Sequence, residues 1–254
     1  VPASVAVLLP PSEAKQAGGS GTWSPADGAF GALAPYRRDV AAALAVAMAD
    51  DATAARLTGV AGELRRRARQ ANTTTVGAPV LPASRRYRGV VWEHLDGDGL
   101  RGRARTRAAE AVVVVSALGG LYAWDDPVPD YKCKLGASLG PLGPLARFWR
   151  APVTEVLARR LAGATVWDLL PAEHARAVDL DAVDARRVVR VEFVTATGRA
   201  AGHGAKAVKG RFARHLLDTG AGWGRARPDP AVATFAWEGW TASLDGDVVT
   251  VALR

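Results

Sequence analysis

The stretch VVVVSALGGLYAWDDPVPDYKCKLG, residues 112–136, decides how this chain is read. Its four consecutive valines form a plain buried strand. The run breaks at Ser116, Gly119 and Gly120, where the backbone must leave a sheet tightly. Asp125, Asp126, Asp130, Tyr131, Lys132, Cys133 and Lys134 follow at once. Pro127 and Pro129 keep these acids on a stiff loop rather than a helix. A fold needs a turn at this point, but it does not need that much polar chemistry.

Outward from this strand, apolar runs alternate with helical sequence. Residues 5–9 form a short apolar run closed by Pro10 and Pro11, which reads as a first buried strand. A glycine-rich loop follows at residues 18–21. Residues 35–48 predict a helix with proline near its start, and residues 51–70 continue the helical pattern. Residues 71–82 read as loop, and Ser84 is placed to cap a helix whose apolar face carries Tyr87, Val90, Val91, His94 and Leu95. Helices are expected over 148–161, 172–178 and 203–217, and strands over 164–169, 188–195, 231–236 and 248–253. The alternation argues an α/β fold with a mixed central sheet flanked by helices, and residues 1–254 are expected to form a single domain. No internal repeat or low-complexity linker interrupts it.

Composition narrows the function classes. The 254 residues carry a net charge of +8, with a pI of about 10.2. That balance suits either a polyanionic partner or a generally basic, solvated surface. Arg65, Arg66, Arg67 and Arg69 crowd one predicted helix, Arg85 and Arg86 follow, and acids are sparse between residues 65 and 107. No apolar run is long enough to span a bilayer and no signal segment opens the chain, so no membrane association is expected. The single cysteine allows no internal disulfide, which makes a cytoplasmic location the expectation.

Four constellations carry polar chemistry. PPSEAK, residues 10–15, sets Ser12, Glu13 and Lys15 at the carboxyl end of a strand, where open α/β sheets bind ligands; a surface turn with capping residues would look the same. The glycines after it lack the order of a phosphate-binding P-loop. In the opening stretch, Cys133 lies between two lysines that favour thiolate, although a small buried hydrophobe is the simpler reading. Asp168 ends the third strand, with Glu173 and His174 shortly after, as a base, a ligand or a helix cap. HGAKAVKGRFAR, residues 203–214, presents Lys206 and Lys209 near a helix start, as an anion site or a solvated face. The four histidines show no metal-ligand spacing, so neither a metal nor another cofactor is expected.

Taken in order, these pieces resemble the YaaA family of peroxide-stress proteins over nearly the whole chain. The family's opening PS(E/A)xK is matched by Pro11, Ser12, Glu13 and Lys15. Its tyrosine–glycine helix is matched by Tyr87, Gly89, Val91 and Trp92, and its SxL turn in part by Ser116, Ala117, Leu118, Gly120 and Tyr122. Its P-x-Y loop falls at Pro129 and Tyr131, a tryptophan helix at Trp149, Val153 and Thr154, and its basic helix at Lys206, Lys209, Gly210, Ala213 and Arg214. The resemblance implies a basic cleft and protection of DNA during peroxide stress. Gly119, the Lys132-Cys133-Lys134-Leu135 run and residues 171–174 depart from the family pattern, all at strand ends, which implies a diverged member.

Two main readings of function follow, and neither fixes an oligomeric state. In the first, the partner is DNA, held without base specificity through phosphate contacts from Arg65, Arg66, Arg69, Arg85, Arg86, Lys206, Lys209 and Arg214. In the second, the same scaffold is an enzyme on a small molecule or nucleobase. There Ser12, Lys15, Tyr131, Lys132, Asp168 and Lys206 converge from strand ends, with a desolvated lysine as base or nucleophile. A stress protein that binds a partner without catalysis is the third possibility.

Overall fold

The computed structural model describes residues 3–195, 204–223 and 228–253. In chain order its strands are β1 (Val5–Leu9), β2 (Val80–Pro82), β3 (Val112–Ser116), β4 (Gly120–Ala123), β5 (Pro127–Pro129), β6 (Thr165–Asp168), β7 (Arg187–Val194), β8 (Ala236–Trp237), β9 (Trp240–Asp245) and β10 (Val248–Leu253). Its α-helices are α1 (Ala34–Ala47), α2 (Asp51–Thr58), α3 (Gly62–Thr73), α4 (Ala83–Arg86), α5 (Val90–Leu95), α6 (Gly102–Ala111), α7 (Leu145–Leu161), α8 (Ala172–Ala175), α9 (Ala205–Thr219) and α10 (Pro228–Ala233).

One eight-stranded mixed sheet runs in the order β4-β3-β1-β6-β7-β10-β9-β8, so the fold is α/β as expected. β3, β1, β6, β7 and β10 are mutually parallel, and β4, β9 and β8 add antiparallel edges. β1 and β3 are buried at every residue, which is why both are unbroken apolar runs rather than alternating ones. Leu8 of β1 stands between Val113 of β3 and Asp168 of β6. The chain leaves β1 toward β3 on one side, then passes β1 to build β6 and β7 on the other. Connections from adjacent strands thus diverge at the carboxyl ends of β1 and β6, the place where open sheets form a ligand crevice.

The turn that breaks the valine run is locked from below. Arg37 of α1, fully buried, donates to the carbonyls of Gly119 at 2.9 Å and Leu121 at 2.7 Å. Trp149 of α7 donates from its indole to Ala117 O at 2.8 Å. Gly119 has no room for a side chain: a Cβ there would lie 2.2 Å from the Tyr122 ring. Asp126 is structural as well, accepting from the amides of Ala29 at 2.8 Å and Ala123 at 2.9 Å. Two of the acids that raised the question of function are thereby accounted for, since Asp125 pairs with Arg105 at 2.8 Å on the surface.

Several local expectations need correction. The helix expected over 51–70 is two helices, because Gly59 and Gly62 take left-handed φ values of 65° and 54° between them. The helix expected from Ser84 is also two, broken at Gly89 with φ 104°, and Ser84 caps neither. Residues 231–236 are expected as a strand, but α10 occupies the first three of them and the two-residue β8 begins only at Ala236. β4 and β9 are too short or too polar to stand out, and they form only against an adjacent strand. The helix expected from residue 203 begins at Ala205, and His203 lies outside the described residues. Among the described residues no helix is long and apolar enough to cross a membrane.

Candidate functional site

Pro10 and Pro11 end the ladder of β1, and the freed segment pairs instead with the backbone after α4. Gln16 N donates to Arg86 O at 2.8 Å and Arg88 N to Ala14 O at 2.9 Å, so Lys15 faces Tyr87. Arg86 makes this possible from the inside. Its fully buried guanidinium donates to Val128 O at 2.9 Å, Gly18 O at 2.9 Å and Pro79 O at 3.0 Å, and also to Gln16 O. A phosphate has no access to it, so Arg86 leaves the set expected to touch DNA.

The ammonium end of Lys15 is held by Ser12 O at 3.0 Å and sits 3.9 Å from the centre of the Tyr131 ring. Tyr131 is buried, and its hydroxyl joins Ser116 Oγ at 2.8 Å and Tyr87 Oη at 3.1 Å. The end of β3 and the loop after β5 are thereby clamped to the end of β1. Burial pulls Lys15 from 10.5 down to about 7, with Asp130 opposing and Lys132 reinforcing the shift. The same burial pushes the Tyr131 and Tyr87 hydroxyls upward, so both stay protonated as donors. Cys133 is pushed up to about 12 by burial, with Lys15 opposing; the flanking lysines do not make it a thiolate.

Around Lys15 runs a tier of charge. Glu13 bridges Lys132 at 2.8 Å and Lys134 at 3.4 Å. Burial pushes the Glu13 carboxyl up, but the two lysines outweigh it and hold the group low. The loop itself is pinned by Asn72 of α3, whose amide donates to Lys132 O at 2.9 Å and accepts from Lys132 N at 2.8 Å. Asn72 is fully buried yet gives no signal in the sequence, where it reads as one more polar residue near a helix end.

At the neighbouring strand end, Leu169 N reaches back to Leu8 O at 3.2 Å, which seats Asp168 beside the crevice. Lys209 of α9 is buried and donates to Leu169 O at 2.6 Å. Burial lowers Lys209 to about 8 while Asp168 opposes, and burial raises Asp168. His174 is lowered to about 4, chiefly by burial, and its Nδ1 has no hydrogen-bond partner. Lys209 therefore belongs to this crevice rather than to a solvated basic face. α9 comes this close because Gly210 packs on α5, where a Cβ would stand 2.2 Å from Val91 O.

Of the residues expected to share a site, Ser12, Lys15 and Tyr131 meet directly, and Lys132 joins through Glu13. Asp168 lies at the adjacent strand end with Lys209, and Lys206 is exposed one turn away on α9. The arginines divide. Arg65 and Arg69 hold Asp51 at 3.3 and 2.8 Å, Arg66 pairs with Glu63, and Arg85 is exposed. Arg214 is committed to Asp96 at 3.1 Å and Asp218 at 2.8 Å. Among the described residues no group of three or more His, Cys, Asp or Glu side chains is gathered to hold a metal.

A profile of the family described as "Peroxide stress protein YaaA" matches residues 5–243, which takes in every element from β1 to most of β9. The chain belongs to the YaaA family. Among its relatives is a UPF0246 protein of Streptomyces coelicolor, 36% identical over 217 residues that span 84% of this chain and 83% of that one. A UPF0246 protein of Corynebacterium glutamicum is 32% identical over 219 residues, 83% of this chain and 84% of its own. One from Bordetella pertussis is 30% identical over 138 residues, about half of either chain (52% and 54%). This YaaA member spends its lysines narrowly. Of 33 Lys and Arg residues only five are lysines, and four of them (Lys15, Lys132, Lys134 and Lys209) belong to the strand-end cluster or its charged tier.

Proposed function

We propose that this YaaA member binds a small molecule at the carboxyl ends of β1, β3 and β6 and uses Lys15 as its reactive amine. The observation that carries this reading is the seat of Lys15. Its amine rests over Tyr131, beside a hydroxyl chain of Tyr131, Ser116 and Tyr87, at the point where sheet connections diverge. An ordinary surface lysine is charged at neutral pH and is a poor nucleophile; a desolvated one keeps a usable neutral fraction. Lys15 then acts as nucleophile toward a carbonyl carbon or as general base, with Tyr131 or Ser116 donating to the developing oxygen. Lys209 and Asp168 form a second acid–base pair next to it. The single thiol suits a reducing, cytoplasmic setting.

Exposure to a series of small aldehydes and keto acids with borohydride, followed by peptide mass mapping, tests this. Adducts are expected on Lys15 ahead of Lys206, the exposed lysine of α9. Preferential modification of Lys206 would refute the assignment.

A second reading, DNA binding in the peroxide response, is favoured by one surface. Arg65, Arg66 and Arg69 line a shallow depression of about 320 Å³ whose one acidic lining residue is Asp51, with Glu63 paired to Arg66 beside it, and Arg66 and Arg67 are exposed. Here Arg67, Arg85 and Lys206 are exposed cations without a carboxylate partner among the described residues, and with Arg66, which shares Glu63, they would meet phosphates without base specificity.

A further inference from the structure

The charged tier around Lys15 opens onto a depression of about 470 Å³, between the end of α2, the loop after Tyr131 and α8. Its charged lining is Arg56, Lys134, Arg176 and Glu173. Three elements far apart in sequence deliver these cations to one concavity. The Arg176 guanidinium has no ion-pair or hydrogen-bond partner among the described residues, and Arg56 touches only Thr53 Oγ1, at 3.5 Å. Glu173 does not neutralise them directly; its carboxylate accepts the amide of Gly136 at 2.6 Å. Lys134 has Glu13 at 3.4 Å, but Glu13 lies closer to Lys132, at 2.8 Å. Three cations against one carboxylate leave an excess of two positive charges, the complement of a phosphate dianion. Leu57 and Ala137 add an apolar wall, and the volume is that of a small-metabolite site.

We propose that this depression holds the phosphate group of a phosphate-monoester substrate whose reacting carbon lies at Lys15. The inference deepens the reading of Lys15 and rests on it. Lys134 belongs to both places, lining the depression and sharing Glu13 with Lys132 next to Tyr131. Arg56 and Arg176 grip the anion from outside, and Lys134 joins the depression to Glu13 and Lys132.

Pyridoxal 5′-phosphate and pyridoxal serve as paired probes on the full chain. With either, the Lys15 amine adds to the aldehyde, water leaves to give the imine, and borohydride supplies the hydride that fixes it as a secondary amine. Labelling of Lys15, normalised to Lys206 in the same sample, should be at least about tenfold faster with the phosphorylated probe. The exposed double variant Arg56→Gln/Arg176→Gln should abolish that preference and leave pyridoxal labelling unchanged. Equal labelling of Lys15 by both probes, insensitive to the double variant, would overturn the phosphate site while leaving the Lys15 reading intact. Should neither probe reach Lys15, the reading of Lys15 fails. Calorimetry with inorganic phosphate then decides the depression alone: saturable binding that the double variant weakens about tenfold supports it, and no binding refutes it. Competition by duplex DNA where phosphate esters do not compete would assign the cations to a nucleic-acid surface and overturn the proposal.

Discussion

Replacing Lys15 by methionine keeps the length of the side chain and removes the charge, so it isolates the electrostatic state of one amine. In the unfolded chain Lys15 takes its ordinary value near 10.5, and in the folded chain burial brings it to about 7. Below about pH 7 both states hold the proton, so the difference in stability between wild type and Lys15→Met is flat with pH. Above it the unfolded chain still binds the proton while the folded chain has released it, and wild-type stability must rise relative to the variant. Each pH unit in that window is worth about 1.4 kcal/mol, so the difference should move by about 3 kcal/mol between about pH 7 and about pH 9.5. Urea unfolding of both proteins across that range reads it directly, and groups unaffected by the substitution cancel. The variant should be the more stable protein at the acid end, because it buries no ammonium. Contact with the Tyr131 ring, worth about 1 kcal/mol to the charged form, offsets part of that gain. A difference that stays flat across the whole range would mean that Lys15 titrates like a surface lysine, and the reasoning would be wrong.

Other expectations follow from the same geometry. Gly119→Ala forces a Cβ to within 2.2 Å of the Tyr122 ring and should cost about 1–3 kcal/mol, read as a lower denaturation midpoint. Asn72→Ala removes both bonds to Lys132 and leaves its half-buried amide and carbonyl without those partners; a loss of about 1–2 kcal/mol and faster amide exchange in residues 131–134 are expected. Cys133, raised to about 12, should react with a disulfide reagent at pH 8 at least about tenfold more slowly than a free cysteine, whose pKa is about 8.5. If the arginine face of α3 binds DNA, Arg66→Gln/Arg67→Gln should reduce the salt slope of binding by roughly 2, whereas Arg86→Gln should act on stability.

The parts of the fold legible in the sequence were those whose pattern reflects burial on both faces. Residues 5–9 and 112–115 read as buried strands because both are unbroken apolar runs, and both are buried at every position. The edges were not legible. β9 alternates weakly and ends at Asp245, and it is a strand because β10 offers a ladder across the Gly246 turn. Glycines caused the helix errors, since Gly59 caps the end of α2 while Gly62 opens α3 and Gly89 precedes α5, all at positive φ, which a sequence does not display.

The site was half visible. Ser12, Lys15 and Tyr131 stood out because polar chemistry at the end of an apolar strand has few structural uses. The arginines did not sort themselves, because sequence records charge but not where a guanidinium ends. Arg86 and Arg37 look like any other basic residue, yet both are fully buried and bind backbone carbonyls. Lys209 was misplaced for the opposite reason: a lysine on an amphipathic helix looks solvated until α5 and the end of β6 close over it. Asp125 and Asp126, which made residues 112–136 seem so rich in chemistry, turned out to hold a turn and a surface pair.

The central claim is that one lysine of this YaaA member is held neutral enough to react. Nitrogen-15 NMR of the lysine side chains, with the Lys15 signal assigned from its absence in Lys15→Met, measures that state without any substrate. The account predicts a titration midpoint for Lys15 near 7, well below the ordinary lysine value of about 10.5. A Lys15 midpoint at 10 or above would contradict it.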